Sequence, residues 1–435
     1  MKIRLFLNMK CALVLTVALA VLIIGCPAPI KKPPEEAALV RLSRFSYPYF
    51  HDDLELDGLE HSILKSLEYL ERVPTDRTFL FGEDRFDAAH LIKSLQHFLK
   101  FIRTGPSERE LKNFIRSDYL VYQSIGRNQK REVLFTGYYE PHLSGRLDKN
   151  EEFRYPIYAL PTDLMKIDLS PFSDKYKGQS IVGRYTDQTV VPYFDRREIE
   201  EENALVGRAE ALVWVKDPVD VFFLQIQGSG KIFLNTGEVI NVHYHGSNGR
   251  PYRSIGQLLI DRQKIPREEM SMQRIRSYLQ AHPEEMAPVL NHNPSYVFFK
   301  LESEGPLGYI NVLLTPGRSI ALDRRIFPPA ALVFIQTKKP IVDSAGQIDS
   351  WTDCNRFVLN QDTGGAIRGP GRADLFWGNG PYAEIAAGHL AELRPGRVEG
   401  AGRAPLVHAH GVHHQLHRLH ERVLAAVLTV VLKAV

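Results

Sequence analysis

Residues 357–388, FVLNQDTGGAIRGPGRADLFWGNGPYAEIAAG, constrain this chain more than any other stretch. An apolar run ends in Asp362, a Gly/Pro-rich turn follows, and a second apolar run, ADLFW, holds Asp374. The pattern predicts a strand, a glycine-shaped loop and a second strand, each delivering one carboxylate. Rigidly held carboxylates suit acid–base work on a bulky polar substrate. A plainer reading stays open at this point, in which the acids only cap turns and Asp362 forms an Asx-turn beside Gly364.

The 435 residues are enough for two or three domains. Hydrophobic content of 44% and charged content of 24% are ordinary for a globular protein, and the net charge of +3 argues against a dedicated nucleic-acid binder. Lys2, Arg4 and Lys10 precede the uncharged apolar run 11–24, broken only by Thr16, which ends at Gly25-Cys26. Those are secretory features, and the run is short for a permanent span, which needs roughly 20 apolar residues. The ending LIIGC is similar to a bacterial lipobox, which makes Cys26 the lipidated first residue after a signal peptide at 1–25. An ordinary signal peptide with an incidental cysteine is the alternative. Pro27 in place of Asp favours, by the same resemblance, the outer membrane. Residues 26–40 then read as a Pro-rich tether.

Only three cysteines occur, Cys11, Cys26 and Cys354, so a lipidated Cys26 leaves Cys354 alone and predicts no disulfide. No CxxC or HExxH is present, and neither a metal nor a cofactor is expected in the main body. Residues 37–130 read mostly helical: LEHSILKSLEYLERV and DAAHLIKSLQHFLKFI repeat apolar residues at helical spacing, and Ser107 with Glu110 forms a capping box. From about Arg131 to 250 the text is strand-like, including EVLFTGYYEPHL, YPIYALP, ALVWV and DVFFLQIQG. Helices return between 252 and 290, one placed just after Pro266, and strands resume from Tyr296 to Phe376. The whole predicts an α+β, β-rich fold. Beyond about Leu390 the chain turns Arg/Gly/Ala-rich, then His-rich, with six histidines between 408 and 420 and a final apolar run at 423–435. Segment 391–435 reads as an aberrant tail, and its histidine spacing leaves metal chelation open.

Several motifs, taken in order, resemble one family, the membrane-bound lytic murein transglycosylases of type A. They are TGYYEP at 136–141, YPIY at 155–158, DPVD at 217–220 with FLQIQGSG at 223–230, and YHGSNGRPY at 244–252. GPLG at 305–308, TPGRS at 315–319, DTGGAI at 362–367 and RADLF at 372–376 continue the series. The resemblance implies a double-psi β-barrel catalytic domain, a second inserted β-barrel domain, and a cleft between them for a polymeric glycan. On this sequence the N-terminal helices and first catalytic part cover 41–150, the insert 151–300, and the catalytic module 301–390. The resemblance lapses after His389, where the family's short aromatic closing strand is missing; its loss would expose a neighbouring strand edge.

The resemblance also implies the chemistry: cleavage of the β-1,4 bond between N-acetylmuramic acid and N-acetylglucosamine, with 1,6-anhydro ring formation and no water. Asp374 matches the catalytic aspartate, and Asp362 is the carboxylate that orients it or stabilises positive charge on the sugar. Thr136, Tyr138 and Tyr139 are candidates to offer hydroxyls and stacking faces. Gln225 and Gln227, read as alternating on a strand, and Ser229 are candidates for binding sugar amides. Gly364 and Gly365 are expected in a positive-φ turn that lets glycan approach. Asp323 matches the module's third aspartate and stands between a substrate contact and a structural role. Trp377 reads as core more than as a sugar platform. The expected partners are peptidoglycan glycan strands, the outer membrane through the lipid, and cell-wall synthesis or division proteins; nucleic acid is not expected. Two other functions stay open: a non-catalytic, expansin-like glycan-binding module, and a hydrolase using Asp362 and Asp374 as a pair.

Overall fold

The computed structural model describes residues 38–127, 130–389 and 427–434. Cys26, the tether up to residue 37 and the histidines of 408–420 lie outside the described residues. The fold is mixed α+β and β-rich. An eight-stranded sheet runs in the order Leu39–Arg41, Tyr119–Ser124, Val427–Lys433, Leu332–Val342, Ile348–Asp362, Ser319–Ala321, Arg372–Phe376, Leu134–Tyr138. A six-stranded sheet runs Val297–Glu302, Val239–Ser247, Ser229–Leu234, His142–Arg146, Ala211–Val215, Tyr155–Tyr158. All strands of the second sheet thus come from one continuous stretch, and those of the first flank it on both sides. The chain passes from one sheet to the other between Tyr138 and His142.

The N-terminal helices form where the apolar spacing predicts them. Leu59, Ile63, Leu67 and Leu70 of the Leu59–Leu70 helix are buried, as are Leu91, Leu95, Phe98 and Leu99 of Ala88–Ile102. They pack on the larger sheet in one apolar cluster with Val333, Ile335, Phe357 and Val358. The expected capping box closes Glu108–Asp118: the Glu110 amide donates to Ser107 Oγ, and the Ser107 amide donates to Glu110 Oε2 at 2.8 Å.

Residues 52–57, ahead of the first of these helices, are locked to the sheet by buried ions. Arg318 is fully buried and bidentate to Asp52, at 2.7 and 2.8 Å, while also donating to the Asp57 and Phe357 carbonyls. Asp53 accepts from Arg356 at 2.8 and 2.6 Å and from Lys339 at 2.7 Å. Neighbouring acids thus grip three cations: Lys339 and Arg356 on two adjacent strands, and Arg318 just ahead of a third.

Two sequence expectations are corrected. DVFFLQIQG is not a strand: Pro218–Gln227 is an α-helix. Asp217 caps it by accepting from the Val219 amide at 2.8 Å, Pro218 takes the first turn, and Gly228 ends it at φ 84°. Gln225 and Gln227, two apart on a helix, therefore do not share a face. The helix placed after Pro266 begins later, as Met272–Ala281, with Ser271 capping the Arg274 amide.

The end of the chain supplies a strand where sequence reading saw an exposed edge. Val427–Lys433 lies between Tyr119–Ser124 and Leu332–Val342, antiparallel to both, with Val430 opposite Tyr122 and Val333. Leu428, Val430, Val431 and Leu432 are buried in the main core.

Candidate active site

Asp374 sits mid-strand on Arg372–Phe376, which pairs in parallel with Leu134–Tyr138 and places Asp374 opposite Thr136. Alternation turns its neighbours Ala373 and Leu375 into the core and leaves Asp374 partly exposed. Thr136 Oγ1 donates to Asp374 Oδ1 at 2.7 Å. Burial of the carboxyl among apolar neighbours raises its pKa to about 6, against the opposing pull of the Thr136 hydroxyl and the Arg372 charge.

Asp362 ends the long strand Ile348–Asp362. Tyr138, one alternation along from Thr136, donates its hydroxyl to Asp362 Oδ2 at 2.8 Å. The amides of Tyr309 and Thr363 donate to Oδ1 at 3.1 and 2.8 Å. Burial raises this carboxyl too, to about 6, although all three donors favour its charged form. The Thr363 amide is the next one along, not the Gly364 amide that an Asx-turn would use, and the Tyr138 bond ties Asp362 to the Thr136 strand. Gly308 is what lets the Tyr309 loop close in, since a Cβ there would lie 2.3 Å from the Gln361 carbonyl oxygen.

The strand Leu134–Tyr138 therefore ties the two aspartates together, Thr136 to Asp374 and Tyr138 to Asp362. Tyr138, Leu314, Ala321 and Phe376 form a small apolar cluster beside them.

Other candidates fall elsewhere. Asp323 is fully buried and saturated: Arg325 Nε and Nη2 donate at 2.9 and 2.6 Å, and the Gly369 amide donates at 2.7 Å. Burial alone would raise its pKa, but these donors hold it below the usual range. It anchors the loop leading into the Asp374 strand. Neither Gly364 nor Gly365 has a positive φ; Gly369 of the same loop does, at 77°. Gly364 is needed instead for packing, because a Cβ would meet Ile367 at 2.9 Å, and Gly365 is open to solvent. Gln225 is buried and accepts from Arg196. Gln227 Oε1 accepts from the Tyr139 amide at 3.0 Å, so it ties the two sheets at their crossing. Tyr139 and Ser229 are buried, and Trp377 lies in the core at 8% exposure. The Asp52–Arg318 and Asp53–Arg356 pairs escaped sequence reading, since partners hundreds of residues apart leave no local signal.

A family model described as "MltA specific insert domain" matches residues 134–300, and one described as "3D domain" matches 318–394. The membrane-bound lytic murein transglycosylase A of Escherichia coli K12 is 32% identical over 292 residues, covering 66% of this chain and 70% of that protein. The chain belongs to the membrane-bound lytic murein transglycosylase A family. Its fold matches the solved structure of a membrane-bound lytic murein transglycosylase from Agrobacterium tumefaciens with TM-score 0.68 and 27% identity, over 91% of this chain and 98% of that one. It also matches the E. coli transglycosylase A solved with bound chitohexaose, with TM-score 0.60 and 25% identity, over 87% and 91% of the two chains. Both signature blocks of this transglycosylase family meet at the aspartates: Thr136 and Tyr138 come from the first matched region, Asp362 and Asp374 from the second.

Proposed function

We propose that this protein is a peptidoglycan lytic transglycosylase in which Asp374 is the single acid/base. Membership of the family gives the reaction class, and the chitohexaose bound to the E. coli relative suits a site for glycan strands. The observation that carries the mechanism is the placement of Asp374: partly exposed on a rigid strand, held by Thr136, with its pKa raised to about 6. A carboxyl tuned this way holds a proton under mildly acidic conditions and releases it readily.

In the reading we favour, protonated Asp374 gives its proton to the glycosidic oxygen between N-acetylmuramic acid and N-acetylglucosamine as the bond to the anomeric carbon breaks. The muramyl 6-hydroxyl then attacks that carbon. Asp374 takes the hydroxyl proton, the 1,6-anhydro ring closes, and the acid is regenerated with no water consumed. A conventional glycosidase needs a second carboxylate as nucleophile or base, whereas here the substrate carries its own nucleophile. Asp362, held by three donors, is the fixed carboxylate that orients the acid or steadies positive charge on the sugar, and its charge favours the protonated form of Asp374.

The same reading makes the larger sheet part of a double-psi β-barrel catalytic domain and the 142–302 sheet an inserted domain. It places the enzyme in the periplasm, tethered to the outer membrane through a lipid on Cys26. Mass spectrometry of products released from purified murein tests it. Transglycosylation yields fragments whose masses sum to that of the strand cut. Hydrolysis adds one water per cut, and a fragment set carrying that water would replace this mechanism with a two-carboxylate one.

A further inference from the structure

The first surface that the chain builds after the tether is basic and aromatic. Ala38 stands twelve residues on from Cys26, a stretch that reaches roughly 40 Å at most when fully extended. The described chain then forms the edge strand Leu39–Arg41 and the short 3₁₀ helix Arg44–Ser46. Phe45, in that short helix, is 91% exposed, with Tyr49 at 57% and Val40 at 46%.

One exposed aromatic alone is ordinary, but this one is held in place. The Leu42 amide donates to the Val121 carbonyl at 2.8 Å, the Arg44 guanidinium to the Ser117 carbonyl at 3.2 Å, and the Tyr47 hydroxyl to the Tyr119 carbonyl at 2.9 Å. The Arg116 guanidinium lies over the Phe45 ring, 5.5 Å from its centre. Further on, the Tyr49 hydroxyl and the His51 ring both meet Glu108. The segment thus runs antiparallel to the helix Glu108–Asp118, from Arg116 back to Glu108, and its pinned backbone holds Phe45 and Tyr49 in water.

Charge on this face is one-sided. Arg109, Lys112 and Arg116 are exposed and recur at a spacing that puts them on one stripe of the helix, with Arg44 beside its end. None of these four cations is ion-paired to a carboxylate among the described residues. The acids of the helix are taken: Glu108 by Tyr49 and His51, Glu110 by the Ser107 cap, and Asp118 by Ser117 and His97.

We infer that this face lies on an anionic phospholipid surface, with Phe45 and Tyr49 in the headgroup layer and Arg44, Arg109, Lys112 and Arg116 against the lipid phosphates. Aromatic rings with a polar or charged rim favour that layer. Each basic residue near it adds an attraction that salt screens. The inference rests on the tethered placement proposed above and deepens it: the tether sets only the distance from the membrane, and the patch sets which side of the protein faces it.

Residues 38–435 form a compact unit of their own and hold the apolar clusters described above, so a chain beginning at Ala38 tests the patch with no anchor present. The test is co-sedimentation of that chain with vesicles of phosphatidylcholine alone and of phosphatidylcholine with one quarter phosphatidylglycerol. The inference expects binding to the anionic vesicles that falls with added salt, and binding about tenfold weaker or less to the neutral ones. Lys112→Gln combined with Arg116→Gln should weaken binding to the anionic vesicles about tenfold or more. Phe45→Ser should weaken it as well. All three side chains are exposed, so both variants should keep the parental thermal transition. Absence of binding, equal binding to the two vesicle types, or an unchanged affinity in either variant overturns the inference. Mass spectrometry of the amino-terminal peptide of the full chain, made in a bacterial host, judges the tether separately. A terminus without lipid sinks the tether, whereas failure of the vesicle assay beside a lipidated Cys26 sinks the patch alone.

Discussion

Thr136 and Asp374 lie opposite each other on parallel neighbouring strands, joined by a 2.7 Å hydrogen bond from the threonine hydroxyl to the carboxylate. That bond favours the charged carboxylate, while burial favours the neutral acid and wins, leaving the pKa at about 6. If the protonated form starts the reaction, kcat falls as pH rises through about 6. Thr136→Val removes the one hydroxyl that favours the charged form. The descending limb should therefore move to higher pH, and a pH–rate profile of soluble murein release for both proteins checks the direction.

Tyr138→Phe takes from Asp362 its side-chain donor while leaving the Tyr309 and Thr363 amides in place. The loss leaves a buried carboxylate less satisfied, at a cost of about 1–3 kcal/mol. Chemical denaturation should report that loss. Carbon-detected NMR titration should show Asp362 protonating at higher pH than in the parent, because the lost bond favoured its ionised form.

The aspartate strands, the capping box at Ser107 and the first two helices were legible in the sequence because each rests on local periodicity or a short motif. The helix at Pro218–Gln227 was not, because a continuous apolar run of Val, Phe, Leu and Ile has no period to read. The Asp-Pro start and Gly228 stop were the usable signals. The two roles left open for Asp323 could not be parted in the sequence, because a motif position does not tell whether a carboxylate already has Arg325 and Gly369 as donors. Gly364 was assigned a backbone role when its constraint is contact with Ile367.

Asp52 and Arg318 test the lock on the N-terminal segment. Asp52→Asn leaves the fully buried Arg318 with its charge uncompensated, which destabilises by about 3–5 kcal/mol. Asp52→Leu combined with Arg318→Met should cost less than the sum of the single changes, since neither partner is then left charged and alone. Urea unfolding of the parent, of Asp52→Asn, of Asp52→Leu and Arg318→Met singly, and of their double measures both statements.

The closing strand carries its own prediction. Leu428 is buried at 1% exposure between two neighbouring strands, so Leu428→Ala should cost about 2–5 kcal/mol. Ending the chain at residue 389 removes the partner of both Tyr119–Ser124 and Leu332–Val342. Such a chain should lose its cooperative thermal transition, while a sharp parental transition would show the strand to be dispensable.

The most direct measurement is the rate at which Asp374→Asn releases anhydro-muropeptides from purified murein, alongside its binding to the same material. Asparagine keeps the shape and can still accept the Thr136 hydrogen bond, but it cannot give up or take back a proton. The expected result is release slowed by about 10²–10⁴-fold with sedimentation on murein retained. Release within a few-fold of the parental rate would contradict the assignment of Asp374 as the acid.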